Sequence, residues 1–297
     1  MSFKEVAGHQ QAIRWLSEQV KQKAVRHAYL FLGPDGIGKR FLSFQFAQAA
    51  LCDQPTQGDA CGTCVTCQQV AHGNHPDLKV VSVAEGAKQL KIEQIRELQH
   101  FLSMKPLQGS LKVAVLDEAH TMQEPAASAL LKTLEEPPAR SMLILLSTHE
   151  AELLPTLVSR CAKLYLSPLP TEDLIKGLKT QGISAETAKQ LARRSGGRLG
   201  AAVGFTAPKS QEKLNRVLEE WFSAVAQGNL EPALNRFKRP EAENALEWIA
   251  AWQHDLLMVH LGAEVESFVY PDRVRQTRQE ASKWSLKRLT QSIETIY

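Results

Sequence analysis

A glycine-rich stretch, GPDGIGKR, follows a short apolar run and matches most of a phosphate-binding loop. The pattern G-x-x-x-x-G-K-[S/T] is met at Gly33, Gly38 and Lys39, and Gly36 adds a further glycine to the turn. In such a loop, backbone N–H groups surround phosphate oxygens and the lysine contacts the β- and γ-phosphates. The last position holds Arg40 instead of a hydroxyl residue that would help to bind Mg²⁺. The sequence therefore predicts a phosphate-binding type of loop in which nucleotide binding stays open and metal-dependent hydrolysis is impaired.

A second chemical motif is the stretch KVAVLDEAH, in which an apolar run ends in Asp117 and Glu118. In a nucleotide site, Asp117 would help to hold Mg²⁺ and Glu118 would polarise the attacking water. The alternative is a strand that simply ends in solvated acids. The phosphate-binding loop upstream favours the nucleotide interpretation, because both motifs would then belong to one sheet.

Four of the five cysteines are clustered with the spacing C-x₈-C-x₂-C-x₂-C, at Cys52, Cys61, Cys64 and Cys67. Close C-x₂-C pairs bring sulfur atoms within reach of one tetrahedral ion, and four thiolates suit structural zinc. An iron–sulfur cluster is the rival, but the ferredoxin pattern continues into Cys-Pro, whereas Gln68 follows Cys67 here. A closed site of four cysteines leaves no open position, so we expect it to order a loop and not to catalyse a reaction.

The segment Ser159-Arg160-Cys161 precedes the last predicted strand. A single arginine at such a place is by default a surface residue. On an ATPase framework, however, an exposed arginine can complete the nucleotide site of a neighbouring subunit as an arginine finger. Arg160 is therefore the candidate catalytic residue, acting in trans.

The elements that must position these motifs alternate between strand and helix. Short apolar runs without alternation, typical of strands buried on both faces, occur at residues 28–32, 78–83, 112–116, 142–146 and 162–166. Helical periodicity lies between them, and it also predicts one helix over residues 1–25. The alternation predicts an α/β fold with an open parallel sheet. From Thr171 onward only helical periodicity is present, and Trp221, Trp248 and Trp252 are expected to be packing anchors.

Length and composition indicate a soluble globular protein of two or three domains. The chain has 297 residues, of which 43% are hydrophobic and 23% charged, with a formal net charge of +3. That charge is too small to imply nucleic-acid binding by itself. The start of the chain lacks an apolar signal-peptide core, and no apolar run is long enough to cross a bilayer. We therefore expect a cytoplasmic protein without a membrane partner.

Together these motifs resemble the bacterial clamp-loader subunits of DNA polymerase III, which belong to the AAA+ family. The similarity also includes VAGH, HAYLF, HPD and ALLKTLEEPP, at residues 6–9, 27–31, 75–77 and 129–138. The resemblance implies an AAA+ P-loop domain over residues 1–166, with an inserted zinc loop at about 52–67. It also implies a small helical lid domain over 167–206 and an all-helical C-terminal collar domain over 210–297. Family members continue with a further helix after the position of Tyr297, so we expect the collar to be truncated here.

Within this family the sequence is more similar to the delta-prime branch than to the gamma/tau motor branch. The motor has Thr or Ser where this chain has Arg40, and a sensor arginine where this chain has Gly200. Arg198 stands two residues earlier, so on a helix it would point to a different side. The arginine of the SRC segment, Arg160, is kept. The resemblance thus implies a stator, a rigid subunit against which the motor subunits move.

The resemblance implies an accessory subunit of a DNA-directed DNA polymerase, a nucleotidyltransferase holoenzyme, with little or no ATPase activity of its own. Arg160 would act on ATP bound by a neighbouring gamma/tau subunit, and delta would be a further partner. The sliding clamp and primer–template DNA would be reached through the complex during DNA replication. Zinc would be the structural cofactor, whereas binding of ATP or ADP by the degenerate loop stays open.

Two functions of other classes stay open beside this one. The first is an ATP-hydrolysing gamma/tau-like motor in which Arg40 is tolerated, so that purified protein would hydrolyse ATP through Lys39. The second is a zinc-dependent DNA-binding protein that uses the basic segment 272–297. A solvated helix face is the simpler interpretation of that segment.

Overall fold

The computed structural model describes residues 2–84, 86–207, 212–220, 241–287 and 289–290. The chain divides into two compact units, Met1–Gly177 and Leu178–Tyr297. The predicted division into three domains is finer than this one and stays a prediction. No helix in the described part of the chain is long and apolar enough to cross a membrane.

The first unit is built on a five-stranded parallel sheet, as the alternation of strands and helices predicted. Its strands are β1 (Ala28–Leu32), β2 (Leu78–Val81), β3 (Lys112–Leu116), β4 (Ser141–Ser147) and β5 (Ala162–Tyr165). Their spatial order is β2-β3-β4-β1-β5, and every neighbouring pair is parallel. All residues of β1, β3 and β4 are buried, which explains why these strands are continuous apolar runs and not alternating ones.

Helices cover both faces of this sheet. They are α1 (Gln10–Lys21), α2 (Lys39–Leu51), α3 (Val65–Ala71), α4 (Ile92–Ser103), α5 (Glu124–Glu135) and α6 (Pro155–Val158), and α7 (Thr171–Thr180) contains the boundary between the units. The predicted single helix over residues 1–25 is wrong. Gly8 and His9 adopt left-handed backbone angles, with φ of 65° and 51°, so the α-helix begins only at Gln10.

Two hydrophobic cores hold the helices against the sheet. Phe31 of β1 faces the core that contains Phe46 of α2, while the preceding residue, Leu30, faces the core that contains Leu98 of α4 and Leu130 of α5. Successive residues of a strand point to opposite faces, so one short strand anchors both layers. Each of these side chains is fully buried, which stabilises the fold by about 1.5–3 kcal/mol per residue.

The second unit is helical in its described part. It contains α8 (Ala185–Arg194), α9 (Leu199–Gly204), a helical stretch over residues 212–220, α10 (Glu241–His260) and α11 (Val274–Ala281). Trp252 is buried in the core of this unit, and its ring meets that of Trp284 edge-to-face at 6.3 Å between centroids. Trp248 packs against the same core, as expected of an anchor. Trp221 lies outside the described residues.

A polar network ties the helices of the second unit together. Arg194 of α8 pairs with Asp272, and its guanidinium lies 4.8 Å from the ring centre of Tyr270. Asp255 of α10 is buried and accepts the backbone N–H groups of Val269 and Tyr270, each at 2.7 Å. A buried carboxylate is tolerated there because both N–H groups compensate for its lost hydration.

Candidate functional site

The glycine-rich loop connects β1 to the first turn of α2, the position expected of a phosphate-binding loop. A side chain on Gly33 would place its Cβ only 2.5 Å from the backbone oxygen of Leu166, so only glycine fits there. Gly38 has a φ of 109° and directly precedes α2, a conformation that other residues rarely adopt. Gly36 also has a positive φ, of 74°. The loop glycines therefore shape the turn that leads into the helix.

Lys39 is held by the loop itself. Its Nζ donates to the backbone oxygens of Gly33 at 2.6 Å and Pro34 at 3.1 Å, and it lies 3.2 Å from a carboxylate oxygen of Asp35. Only 9% of the side chain is exposed. A lysine that contacts nucleotide phosphates must exchange these three interactions for new ones. These contacts of Lys39 therefore compete with nucleotide binding.

Arg40 pairs with the acidic residue that the sequence assigned to magnesium. Its Nη1 lies 3.3 Å from Oδ2 of Asp117, and the other carboxylate oxygen of Asp117 accepts the backbone N–H of Glu118 at 3.0 Å. Both oxygens of Asp117 are therefore engaged within the protein. A guanidinium beside this carboxylate disfavours Mg²⁺ by charge repulsion and supplies no ligand atom. Glu118 is exposed and has a left-handed backbone conformation, with φ of 52°.

Replacing Arg40 with threonine is expected to increase affinity for ATP about tenfold in the presence of Mg²⁺, with little change in EDTA. The substitution removes the competing cation, frees Asp117 and adds a hydroxyl ligand. Isothermal titration calorimetry of the purified protein with ATP, in the presence and absence of magnesium, measures this change in affinity. The matched control is Arg26→Thr, which removes the same charge from an exposed position before β1. Equal affinities of the R40T and wild-type proteins for Mg-ATP would contradict this interpretation.

The four clustered cysteines converge in space, as their spacing predicted. Their sulfur atoms all lie within 4.8 Å of one another, and the Cys52–Cys64 and Cys61–Cys67 pairs are each 3.9 Å apart. In a tetrahedral site with metal–sulfur distances of about 2.3 Å, sulfur atoms lie about 3.8 Å apart. The four residues therefore form a group that could hold a metal ion.

Local folding produces this convergence. The end of α2 brings in Cys52, and α3 begins directly after Cys64 and contains Cys67. Backbone N–H groups point at the sulfur atoms: that of Cys61 at Cys52, that of Cys64 at Cys61 and that of Cys67 at Cys64, at 3.3–3.4 Å. Such N–H groups favour the thiolate form that binds metals.

The protonation of the four thiols differs with their surroundings. The backbone N–H groups of Cys64 and Thr63 lower the pKa of Cys61 to about 6. Burial has the opposite effect on Cys52 and Cys67 and raises the pKa of each. A bound cation would favour deprotonation of all four thiols, because the thiolate is the metal-binding form.

Sequence reasoning included the HPD segment in the family resemblance but assigned no role to Asp77, which proves to be a central structural residue. Its carboxylate accepts the backbone N–H groups of Leu107, Gln108 and Gly109 at 2.8–3.1 Å, and Nζ of Lys112 at 2.9 Å. Both charged side chains are buried, with at most 1% exposed. A lysine at the start of an otherwise apolar strand was the signal in the sequence that could have revealed this pair.

Arg160 lies between α6 and β5 and is tethered within its own chain. Its Nη1 donates to the backbone oxygen of Thr156, and its Nη2 donates to Oε1 of Glu135, both at 2.8 Å. About a third of the side chain, 35%, is exposed. The guanidinium is therefore partly accessible and is held in one orientation by groups of its own chain.

The fold and the site define a P-loop protein of the AAA+ class. The strands are parallel in the order β2-β3-β4-β1-β5, a P-loop follows β1, and an Asp-Glu pair follows β3. Residues 8–170 match the protein family described as "DNA polymerase III, delta subunit". The chain is also 31% identical to DNA polymerase III subunit delta' of Escherichia coli over 238 residues, which cover 80% of this chain and 71% of the relative. The chain therefore belongs to the family of DNA polymerase III delta-prime subunits.

Other relatives include delta-prime and motor subunits. Subunit delta' of Pseudomonas aeruginosa is 41% identical over 176 residues, which cover 58% of this chain and 53% of the relative. The match thus spans about half the length of that relative. Subunit tau/gamma of Haemophilus influenzae is 35% identical over 177 residues, which cover 60% of this chain and 25% of the relative.

Solved structures that resemble this chain are more distant. A gamma-subunit-related protein of Thermotoga maritima is 18% identical, covers 95% of this chain and 97% of its own, and has a TM-score of 0.41. The RuvB Holliday junction branch migration motor of the same organism is 16% identical over 91% of this chain and 88% of its own, with a TM-score of 0.47. Neither similarity is close enough to support an argument about function.

Proposed function

We propose that this chain is a stator subunit of a clamp loader and supplies Arg160 to the ATP site of a neighbouring motor subunit. The observation that carries the proposal is the ion pair between Arg40 and Asp117. It joins the degenerate P-loop to the carboxylate that a hydrolysing subunit uses for Mg²⁺. The ion pair therefore supports the assignment of this chain as a subunit with little or no ATPase activity of its own. It argues against the alternative of a gamma/tau-like motor.

The proposed chemistry lies across a subunit boundary. During phosphoryl transfer, negative charge on the γ-phosphoryl group is stabilised by cations that are already in place. Arg160 has a delocalised charge that is always present, and part of its side chain is exposed. Two of its N–H groups are used by Thr156 and Glu135, and the guanidinium has further N–H groups for phosphate oxygens.

The proposed partners follow from the same assignment. The motor subunit gamma/tau would contribute the nucleotide, delta would be a further subunit, and the sliding clamp and primer–template DNA would be bound through the assembled complex. Residues 1–166 would form the AAA+ domain, 167–206 the lid and 210–297 the collar. Gly33, Gly36, Gly38 and Lys39 would form a weak site for ATP or ADP at most.

Reconstitution tests this function directly. The full chain is mixed with a gamma/tau motor subunit and delta, and the products are analysed by size-exclusion chromatography and a sliding-clamp loading assay on primed DNA. We expect a defined complex that loads the clamp, and no loading when this chain is left out. Brisk ATP hydrolysis by the purified chain alone, abolished by Lys39→Ala, would support the motor function instead.

The cysteine cluster is proposed to hold structural zinc, which would fix the segment between α2 and α3. We expect one zinc ion per chain by elemental analysis and no visible absorption from an iron–sulfur cluster. Cys67→Ser should lose most of the zinc because it removes a buried ligand from the closed set. The matched control is Cys161→Ser, which changes a buried cysteine in the other core and should keep the metal. Full zinc content in the C67S variant would refute this assignment.

A further inference from the structure

The contact between Arg160 and Glu135 links two segments that the same core fixes in place. Glu135 is the last residue of α5 and follows Leu134, which is 4% exposed. Arg160 follows α6, whose Leu157 and Val158 are also buried. All three of these apolar residues belong to one hydrophobic cluster. The backbones on either side of the ion pair are therefore rigidly placed relative to each other.

The two hydrogen bonds hold the guanidinium at two separate nitrogen atoms. Nη1 is bound to the backbone oxygen of Thr156, and Nη2 is bound to the carboxylate of Glu135. Because the guanidinium group is planar and rigid, fixing both terminal nitrogens fixes the plane and direction of the whole group. Three of its five N–H groups remain after these two bonds are counted. An incoming phosphate can therefore bind without displacing Glu135.

The ion pair contributes little to folding. The side chains of Arg160 and Glu135 are 35% and 50% exposed, and ion pairs with that degree of exposure are strongly screened by water. A contribution to folding stability therefore does not explain why the Arg160 guanidinium is held in one orientation. Orientation does matter for a charge that must meet a transition state, because groups that are already in place need no reorganisation during the reaction.

We propose that Glu135 is the positioning residue for Arg160 and holds the guanidinium in the direction needed by the neighbouring nucleotide site. This inference rests on the proposed function of Arg160 as an arginine finger. Glu135 does not touch the nucleotide and acts only through Arg160. Removing it leaves the guanidinium attached at Thr156 alone, so the group can rotate away from the γ-phosphate.

The test uses a reconstituted clamp loader in which the motor subunits carry alanine at their own counterpart of Arg160. ATP hydrolysis then depends on the finger that this chain supplies. Glu135→Ala is expected to lower kcat about tenfold and to leave KM within about twofold, because the residue affects the transition state more than nucleotide binding. Glu135→Gln keeps an oxygen that accepts from Nη2, so its loss of kcat should be about threefold or less.

The matched control is Glu136→Ala, which removes a neighbouring exposed carboxylate and should leave kcat unchanged. The double variant Glu135→Ala with Arg160→Ala should be no slower than Arg160→Ala alone, because Glu135 acts through that side chain. Size-exclusion chromatography confirms that each variant enters the complex. Circular dichroism confirms that it is folded.

The outcomes separate this inference from the function on which it rests. If Arg160→Ala lowers hydrolysis but Glu135→Ala does not, the finger assignment survives and the positioning role is wrong. A further loss in the double variant would also overturn the positioning role, because the two residues would then act independently. If Arg160→Ala itself has no effect, the proposed function fails and this inference fails with it.

Discussion

Arg160→Ala should lower ATP hydrolysis about thousandfold at the motor site that this chain is proposed to serve, which is a loss of about 4 kcal/mol of transition-state stabilisation. The expected size follows from the removal of a fixed positive charge at the transferred γ-phosphoryl group. Single-turnover hydrolysis in the reconstituted complex measures it, with motor subunits that lack their own finger arginine. Clamp loading should fall with hydrolysis, since loading depends on the same nucleotide cycle.

Two controls make this result specific to the guanidinium. Arg26→Ala removes another exposed arginine of the same unit and should have no effect on hydrolysis. Arg160→Lys keeps the charge but loses the planar group of donors that Thr156 and Glu135 orient, so we expect an intermediate rate. Hydrolysis by the R160A complex at the wild-type rate would show that this chain supplies no finger.

Asp77→Ala should destabilise the α/β unit by about 4 kcal/mol, the largest structural effect that we expect from a single substitution. The change leaves the ammonium of Lys112 buried without its counter-charge. It also removes the acceptor for three backbone N–H groups at residues 107–109. Chemical denaturation measures the loss in the free energy of unfolding, and hydrogen exchange of the amides in β3 reports it independently. The amides at residues 107–109 should exchange faster even in native buffer.

A more exposed ion pair between β2 and α4 provides the comparison for Asp77. Glu97 lies 3.5 Å from Lys79 of β2 with 71% of its side chain exposed, so Glu97→Ala should cost less than about 1 kcal/mol. Lys112→Met in the Asp77→Ala background should recover part of the loss, because it removes the unpaired charge. Equal decreases in the free energy of unfolding for Asp77→Ala and Glu97→Ala would show that the buried pair stabilises the fold no more than the exposed one.

The pH dependence of the Asp77 effect has a definite sign. Burial raises the pKa of Asp77. The backbone N–H groups at residues 107–109 and the ammonium of Lys112 lower it by more than burial raises it, so the pKa of Asp77 lies well below its usual value. The stabilising contribution is therefore complete above the unfolded-state pKa, near 3.8, and is lost as the pH falls below it. The stability difference between wild type and the Asp77→Ala variant should accordingly shrink in acid.

Much of the fold could be predicted from local patterns in the sequence. Runs such as KVAVL and MLILL identified buried parallel strands, because a strand covered on both faces must be apolar throughout. Pro125 lies in the first turn of α5, where its missing N–H has no cost. Predictions were less accurate at the ends of elements. The strand predicted over 78–83 ends at Val81, and left-handed angles at Gly8 and His9 interrupt the helix predicted over 1–25.

The amino-acid sequence by itself determined which groups are present: a P-loop with arginine in place of a hydroxyl residue, four cysteines at ligand spacing and one arginine before the last strand. Only the tertiary structure decided how these groups are partnered. Arg40 meets Asp117 across 77 residues, Lys112 meets Asp77 across 35, and Arg160 meets Glu135 across 25. Such pairs depend on the order and register of the strands and on the packing of α5 against α6, which no local pattern specifies. The physical reason is that charge interactions depend on distance in space, whereas the sequence states only distance along the chain.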